Sequence, residues 1–209
     1  LGGVAGCLGN SGSGNNNLVR FGLTAVEGDV DTREQWRPLF EYIENEADVT
    51  IEVNEASNYS AILQAFRNDQ IDISGTPHTI GIIGDRLEVT DVVGLRRAFG
   101  TDREFAFITT LPEDNISDIN ELAGSEITFA DPLSTPGAMF PLYMLSQGGL
   151  DVGEAPDGDP VDFQASYSDH AIARQQLINR ESVKAAGTGS FSVIEHVPPE
   201  QLPDRFVEN

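Results

Sequence analysis

The 209-residue chain carries 34 acidic against 12 basic residues, a formal net charge of −22 at pH 7, so its surface repels phosphate backbones and anionic lipid headgroups and a nucleic-acid partner is excluded. With 39% hydrophobic residues it has the composition of a globular protein, and its length supports one sizeable core or two small ones. Its one cysteine excludes an intrachain disulfide.

Such a surface also repels itself unless salt screens it, and at about 1 M salt the Debye length falls to about 3 Å. Lys184 is the only lysine. Arginine and carboxylates in place of lysine point to a salt-adapted protein of a halophile; a generic acidic extracellular protein is the second reading. Cys7 closes the run L-G-G-V-A-G-C and is followed by L-G-N-S-G-S-G-N-N-N, a flexible polar tether. This pattern resembles a lipobox, with Val4 where leucine is usual. It implies a lipid on Cys7 and an extracytoplasmic, membrane-anchored protein; a chance cysteine in a small-residue loop is the alternative. No apolar run of about 18 residues occurs, so no spanning helix is expected.

Residues 18–24 alternate as a first strand. From Thr32, as the expected cap, the spacing of Trp36, Leu39, Phe40 and Ile43 predicts a helix. Residues 48–53 read as a second strand, 58–66 as a helix with Ile62, Leu63 and Phe66 inward, and 70–74 as a third strand running into the turn Gly75-Thr76-Pro77-His78. Strand and helix alternating in this way predict a parallel sheet with right-handed crossovers and a ligand site outside the carboxyl ends of its strands. Tyr59, at the helix start beside one such end, reads equally as a buried ring or a ligand contact.

A second unit follows. Residues 105–110 predict a strand, 118–124 a short helix closed by glycine, and 127–130 a strand that Pro132 stops. Ser134 and Thr135 then stand where a helix cap belongs, Pro136 suits the first turn, and Gly137 leaves the turn open to close approach. Free amides at a positive helix end, with two hydroxyls beside them, suit an anion, although an ordinary capped helix has the same residues. The helix runs to Gln147. After an acidic loop, 161–165 read as a strand. Ser168-Asp169-His170 cap a helix whose apolar face is Ala171, Ile172, Leu177 and Ile178, and 183–193 are strand-like but interrupted at Gly187-Thr188-Gly189.

The stretches V-R-F-G-L-T (19–24), W-R-P-L (36–39), N-Y-S-A-I-L-Q-A-F (58–66) and D-I-S-G-T-P (72–77) come in that order. They are followed by I-N-E-L-A-G-S-E-I-T-F-A-D-P-L-S-T-P-G (119–137) and S-D-H-A-I-A-R (168–174). In order and spacing they resemble the phosphate/phosphite/phosphonate-type substrate-binding proteins of ABC transporters, over roughly residues 18–193. The resemblance implies an α/β, two-lobe type II periplasmic-binding-protein fold. Residues 1–17 would be lipobox and tether, 18–104 lobe 1, 105–193 lobe 2, and 194–209 the start of an incomplete return to lobe 1. It implies capture of a small oxyanion in the interlobe cleft by Ser134, Thr135 and the Gly137 turn, a ring N–H from His170, Tyr59 closing from lobe 1, and further contacts at Thr76 and Thr188. Partners would be the anion and an ABC permease, with contact to the membrane only through the anchor; the protein would be a monomer, without a cofactor or metal.

Two departures qualify the resemblance. Gly189 stands near where many members place an acidic residue, which makes an aminoalkyl phosphonate less expected and leaves phosphonate, phosphite and phosphate open. The chain also ends about where relatives return to lobe 1, which reads as a fragment or a shortened product. No CxxC, HExxH, GxxxxGK[ST] or GxSxG occurs, so an enzyme is not expected. A sensor or degenerate surface module of the same fold is the alternative to transport.

The charge reading makes a prediction of its own. Urea unfolding followed by circular dichroism should show a lower midpoint in dilute buffer than in molar salt, and equal midpoints would reject salt adaptation.

Overall fold

The computed structural model describes residues 17–24, 31–97, 104–194 and 196–197. Cys7 with the tether through Asn16, and the last residues from 198 on, lie outside the described residues. Strand β1 (Leu18–Thr24) is the centre of a three-stranded sheet of order β2-β1-β3, parallel to β2 (Thr50–Ala56) and β3 (Ile73–Ser74). Parallel neighbours need crossovers, and helices α1 (Thr32–Ala47) and α2 (Tyr59–Arg67) follow β1 and β2 in turn. On one face Phe21 meets Trp36 and Phe40 at centroid distances of 5.2 and 4.9 Å. Tyr59, Ile62, Ile71 and Ile80 form a second cluster of this unit. The Arg20 guanidinium grips Asp72 through Nε at 3.0 Å and a second nitrogen at 2.5 Å, tying β1 to the entry of β3 and holding the Asp72 carboxyl below its ordinary range.

Three local expectations are corrected here. Asp31, not Thr32, caps α1, its carboxylate accepting the Glu34 amide proton at 3.1 Å; carboxylate capping also suits the positive helix end. Leu39 on α1 is 40% exposed, so the buried stripe of that helix is narrower than its apolar spacing. A third helix, α3 (His78–Arg86), occupies a stretch that local signals left without structure. Gly81 and Gly84 lower its intrinsic propensity. What stabilises it is tertiary: Ile80 is 1% exposed in the second cluster, and Gly84 lies so close to Thr90 that a Cβ there would stand 3.1 Å from the threonine Cβ.

The second unit is a four-stranded sheet of order β4-β7-β5-β6, built from β4 (Ala106–Thr109), β5 (Glu126–Phe129), β6 (Gln164–Tyr167) and β7 (Val183–Gly189). Only β4 runs antiparallel, against β7. Helices α4 (Phe140–Gln147), α5 (His170–Asn179) and α6 (Ser190–Val193) accompany it, and its core gathers Leu122, Ile127, Phe129, Leu142 and Leu145. Strand β7 is not interrupted at Gly187. Glycine is needed there for close approach, since a Cβ would meet Phe129 Cδ1 at 2.6 Å and Pro141 Cβ at 2.9 Å. Residues 190–193 are helical rather than strand. Helix α5 is also turned from its expected face: Ile172 and Ile178 are 42% and 59% exposed, while His170, Ala171, Ala173 and Leu177 are buried. A buried, hydrogen-bonded His170 sets that phase, which an apolar count cannot see.

The close approach of Gly75 to Trp36, with Trp36 Cζ2 2.6 Å from where a Cβ would sit, makes a testable strain site. Gly75→Ala should destabilise the protein by about 1–3 kcal/mol through overpacking. Pairing it with Trp36→Phe should give less than the sum of the single effects in a denaturation cycle.

Candidate functional site

Parallel strands deliver their carboxyl ends to one side, and both units do so towards a shared cleft of about 410 Å³. Its lining includes Thr24 and Tyr59 of the first unit and Asp131, Tyr167, Ser168 and His170 of the second. Among the described residues the lining holds no arginine or lysine, and two of its members, Asp131 and Asp169, are acidic.

The turn after β5 is built in layers. Asp131 Oδ1 accepts the Leu133 amide proton at 2.8 Å, an Asx turn that redirects the chain. Ser134 then caps the helical turn Thr135–Met139, which continues into α4; its Oγ accepts the Gly137 amide proton at 3.1 Å. Thr135–Met139 is wound as a π-turn, wider than an α-turn. Glycine at 137 is required by packing: a Cβ would lie 2.6 Å from His170 Cε1 and 2.9 Å from Ser134 Oγ.

His170, at the first turn of α5, is 2% exposed. The Gly189 amide donates to its Nδ1 at 3.0 Å, so that nitrogen is the unprotonated one. The proton sits on Nε2, 3.2 Å from Ser134 Oγ. Burial pushes the imidazole pKa down to about 4, which keeps the ring neutral at physiological pH. Ser134 Oγ thus accepts from both Gly137 N–H and His170 Nε2–H. Its two lone pairs are filled, and its own O–H proton is all it has left to offer.

The two units also touch directly at this turn. Asp131 Oδ2 accepts the Tyr59 amide proton at 3.2 Å, and Thr135 Oγ1 accepts that of Thr79 at 3.0 Å, with the two threonine hydroxyls 2.9 Å apart. Leu133 packs into the first unit's cluster of Tyr59, Ile62, Ile71 and Ile80.

Of the seven residues singled out from the sequence, Tyr59 and His170 line the cleft, and Ser134, Thr135 and Gly137 are buried in the turn that borders it. The ring of Tyr59 is in the core, 7% exposed, and its hydroxyl is bonded to Thr24 at the cleft. Desolvation raises its pKa well above the ordinary tyrosine value. Thr76 and Thr188 are not in the lining. Thr188 is fully buried in β7, its hydroxyl without a partner among the described residues. Both ring nitrogens of His170 are engaged within the second unit, so the geometry gives it Ser134 as its partner. Sequence reasoning missed Asp131, Thr79 and Tyr167. Thr79 was hidden because α3 was. Tyr167, stacked on Phe129 at 5.5 Å with its hydroxyl buried and its pKa raised to about 12 by desolvation, was legible only as the residue before Ser168. Among the described residues no group of three or more His, Cys, Asp or Glu could hold a metal, and no helix is long and apolar enough to cross a membrane.

Two α/β units meeting across a cleft have the architecture of a periplasmic-binding-protein-like fold. The family model for phosphonate ABC-transporter periplasmic substrate-binding proteins matches residues 21–205, and the chain belongs to that family, which comprises transport receptors rather than enzymes. It is 22% identical over 154 residues to the phosphate-import protein PhnD of Mycolicibacterium smegmatis, covering 72% of this chain and 47% of that protein. It is 24% identical over 131 residues to the phosphonates-binding periplasmic protein of Escherichia coli, covering 60% of this chain and 38% of that one. The chain thus spans less than half the length of either relative. In fold it is similar to PhnD1 of Prochlorococcus marinus, solved in complex with methylphosphonate, with a TM-score of 0.70 at 16% identity over 88% of this chain and 68% of that one.

The His170 arrangement has a pH signature. Its folded pKa of about 4 lies below the unfolded value near 6.5, so the unfolded state takes up the proton first. Stability from this group is fully present above about pH 6.5 and is lost as pH falls towards 4, by roughly 3 kcal/mol in all. Thermal melts of wild type against His170→Gln from pH 7.5 to 4 should show the wild type losing the larger increment; parallel curves would contradict a buried neutral ring.

Proposed function

We propose that this protein is an extracytoplasmic receptor that captures a phosphonate-, phosphite- or phosphate-type oxyanion between its lobes and hands it to an ABC permease. Residues 18–104 and 105–193 would be the two lobes. One observation carries the reading: Ser134, with both lone pairs filled by Gly137 and His170, can act only as a hydrogen-bond donor. An obligate donor suits a ligand that is all acceptor, as an ionised oxyanion is. A desolvated anion needs donors in several directions, and Thr135 supplies another through its hydroxyl. His170 acts through Ser134, by filling its lone pair.

An ammonium-bearing substituent would find no partner at Gly189, although the carboxylates of Asp131 and Asp169 line the cleft. Gly189 offers no carboxylate, and the Phe191 ring fills the space a side chain there would need, edge-on to His170 at 4.8 Å. Family membership supports the permease as partner. Lipidation of Cys7 would hold a monomeric receptor at the membrane of a salt-adapted cell, the anchor compensating for a surface that is otherwise repelled by anionic lipid.

Isothermal titration in molar salt with methylphosphonate, phosphite, phosphate and sulfate tests the reading. A phosphorus oxyanion should bind, and Ser134→Ala should weaken it by about 10- to 100-fold, the range for a hydrogen bond to a charged group. No heat with any of the four would favour a sensor or degenerate module instead.

A further inference from the structure

Thr79 lies on the first unit, yet its amide and its hydroxyl both contact Thr135 on the second. Its amide donates to Thr135 Oγ1 at 3.0 Å, and its hydroxyl stands 2.9 Å from the same atom. A threonine hydroxyl has two lone pairs and one proton. The amide takes one lone pair. The hydroxyl contact then has two possible senses. If Thr135 donates to Thr79, its proton is spent within the protein. If Thr79 donates to Thr135, the second lone pair is filled and the Thr135 proton is released.

We propose that Thr79 is a positioning residue for the anion site: by donating both its amide and its hydroxyl to Thr135, it makes Thr135 an obligate donor and binds that state to contact between the units. The inference rests on the oxyanion reading above. An anion beside Thr135 can only accept, so it selects the sense in which Thr79 donates. That selection strengthens a bond running from one unit to the other, and occupancy and closure become one event. Two neighbouring contacts keep the threonines in register. Asp131 Oδ2 holds the Tyr59 amide, and Leu133 sits in the apolar cluster around Ile62 and Ile80, one residue from Thr79. Thr135 thereby repeats across the units what Ser134 does within one: two protein donors fill a hydroxyl and turn its proton outward.

The test uses Thr79→Val, which keeps the amide and the shape but removes the hydroxyl, and Thr79→Ser, which restores it. Affinity for methylphosphonate or phosphate is measured by titration, dissociation is followed by stopped-flow fluorescence of Trp36, and melting temperatures are taken without ligand. Thr79→Val should raise the dissociation constant about tenfold, mostly through faster dissociation, with Thr79→Ser within about twofold of wild type. The ligand-free melting temperatures of the three proteins should agree within a few degrees. Wild-type affinity in Thr79→Val overturns this inference and leaves the oxyanion reading standing. Equal weakening in the serine variant, or weakening that only tracks a fall in melting temperature, assigns Thr79 a packing role and also overturns it. No binding by wild type overturns both.

Discussion

The Gly189 amide gives its proton to Nδ1 of His170, and the chemistry of the cleft depends on that bond. It fixes which ring nitrogen carries the proton, and through it which way Ser134 must face. A protonated imidazole would lose the acceptor that Gly189 needs, so burial and hydrogen bonding push in the same direction, towards a neutral ring. The strand supplies a backbone donor, the helix start supplies the ring, and the turn supplies the hydroxyl. None of these groups is charged. In a protein of net charge −22 this chain of neutral groups stands beside two acidic lining residues, Asp131 and Asp169.

Packing enforces this chain of bonds. Gly137 leaves room for the His170 ring, Gly187 lets β7 lie against Phe129 and Pro141, and the Phe191 ring closes the space beside Gly189. These glycines are sites of close approach rather than of flexibility. Each places backbone where a side chain would displace the ring or the turn. The strand-to-helix turn at 131–139 is then held from both sides, by Ser134 and His170 within its own unit and by Tyr59, Thr79 and the apolar pocket of Leu133 across the cleft.

In the proposed role this arrangement joins recognition to closure. A donor-only pair discriminates by hydrogen-bond capacity rather than by net charge. Among the described residues, contacts between the units run through Asp131, Leu133 and Thr135 of this turn. Dipoles fixed in direction read the shape of the acceptor.

Much of the architecture was legible locally. Alternation marked β1, the spacing of Trp36 and Phe40 marked α1, and Ser134 with Pro136 and Gly137 marked the turn, because period and capping are properties of a few neighbouring residues. Helix α3 was not legible, since its two glycines argue against a helix and only the burial of Ile80 argues for one. Strand β7 looked broken for the same reason: a glycine inside a strand reads as a stop until the neighbour that needs its space is known. The sequence by itself determined the element order, the acidic surface and the hydroxyl-bearing turn. Only the tertiary structure decided that His170 serves Ser134, that Thr79 meets Thr135, and that Ser134 has only its proton left to give. Those are pairings across 36 and 56 residues of chain, and hydrogen-bond direction is a property of the assembled set of donors, not of any residue within it.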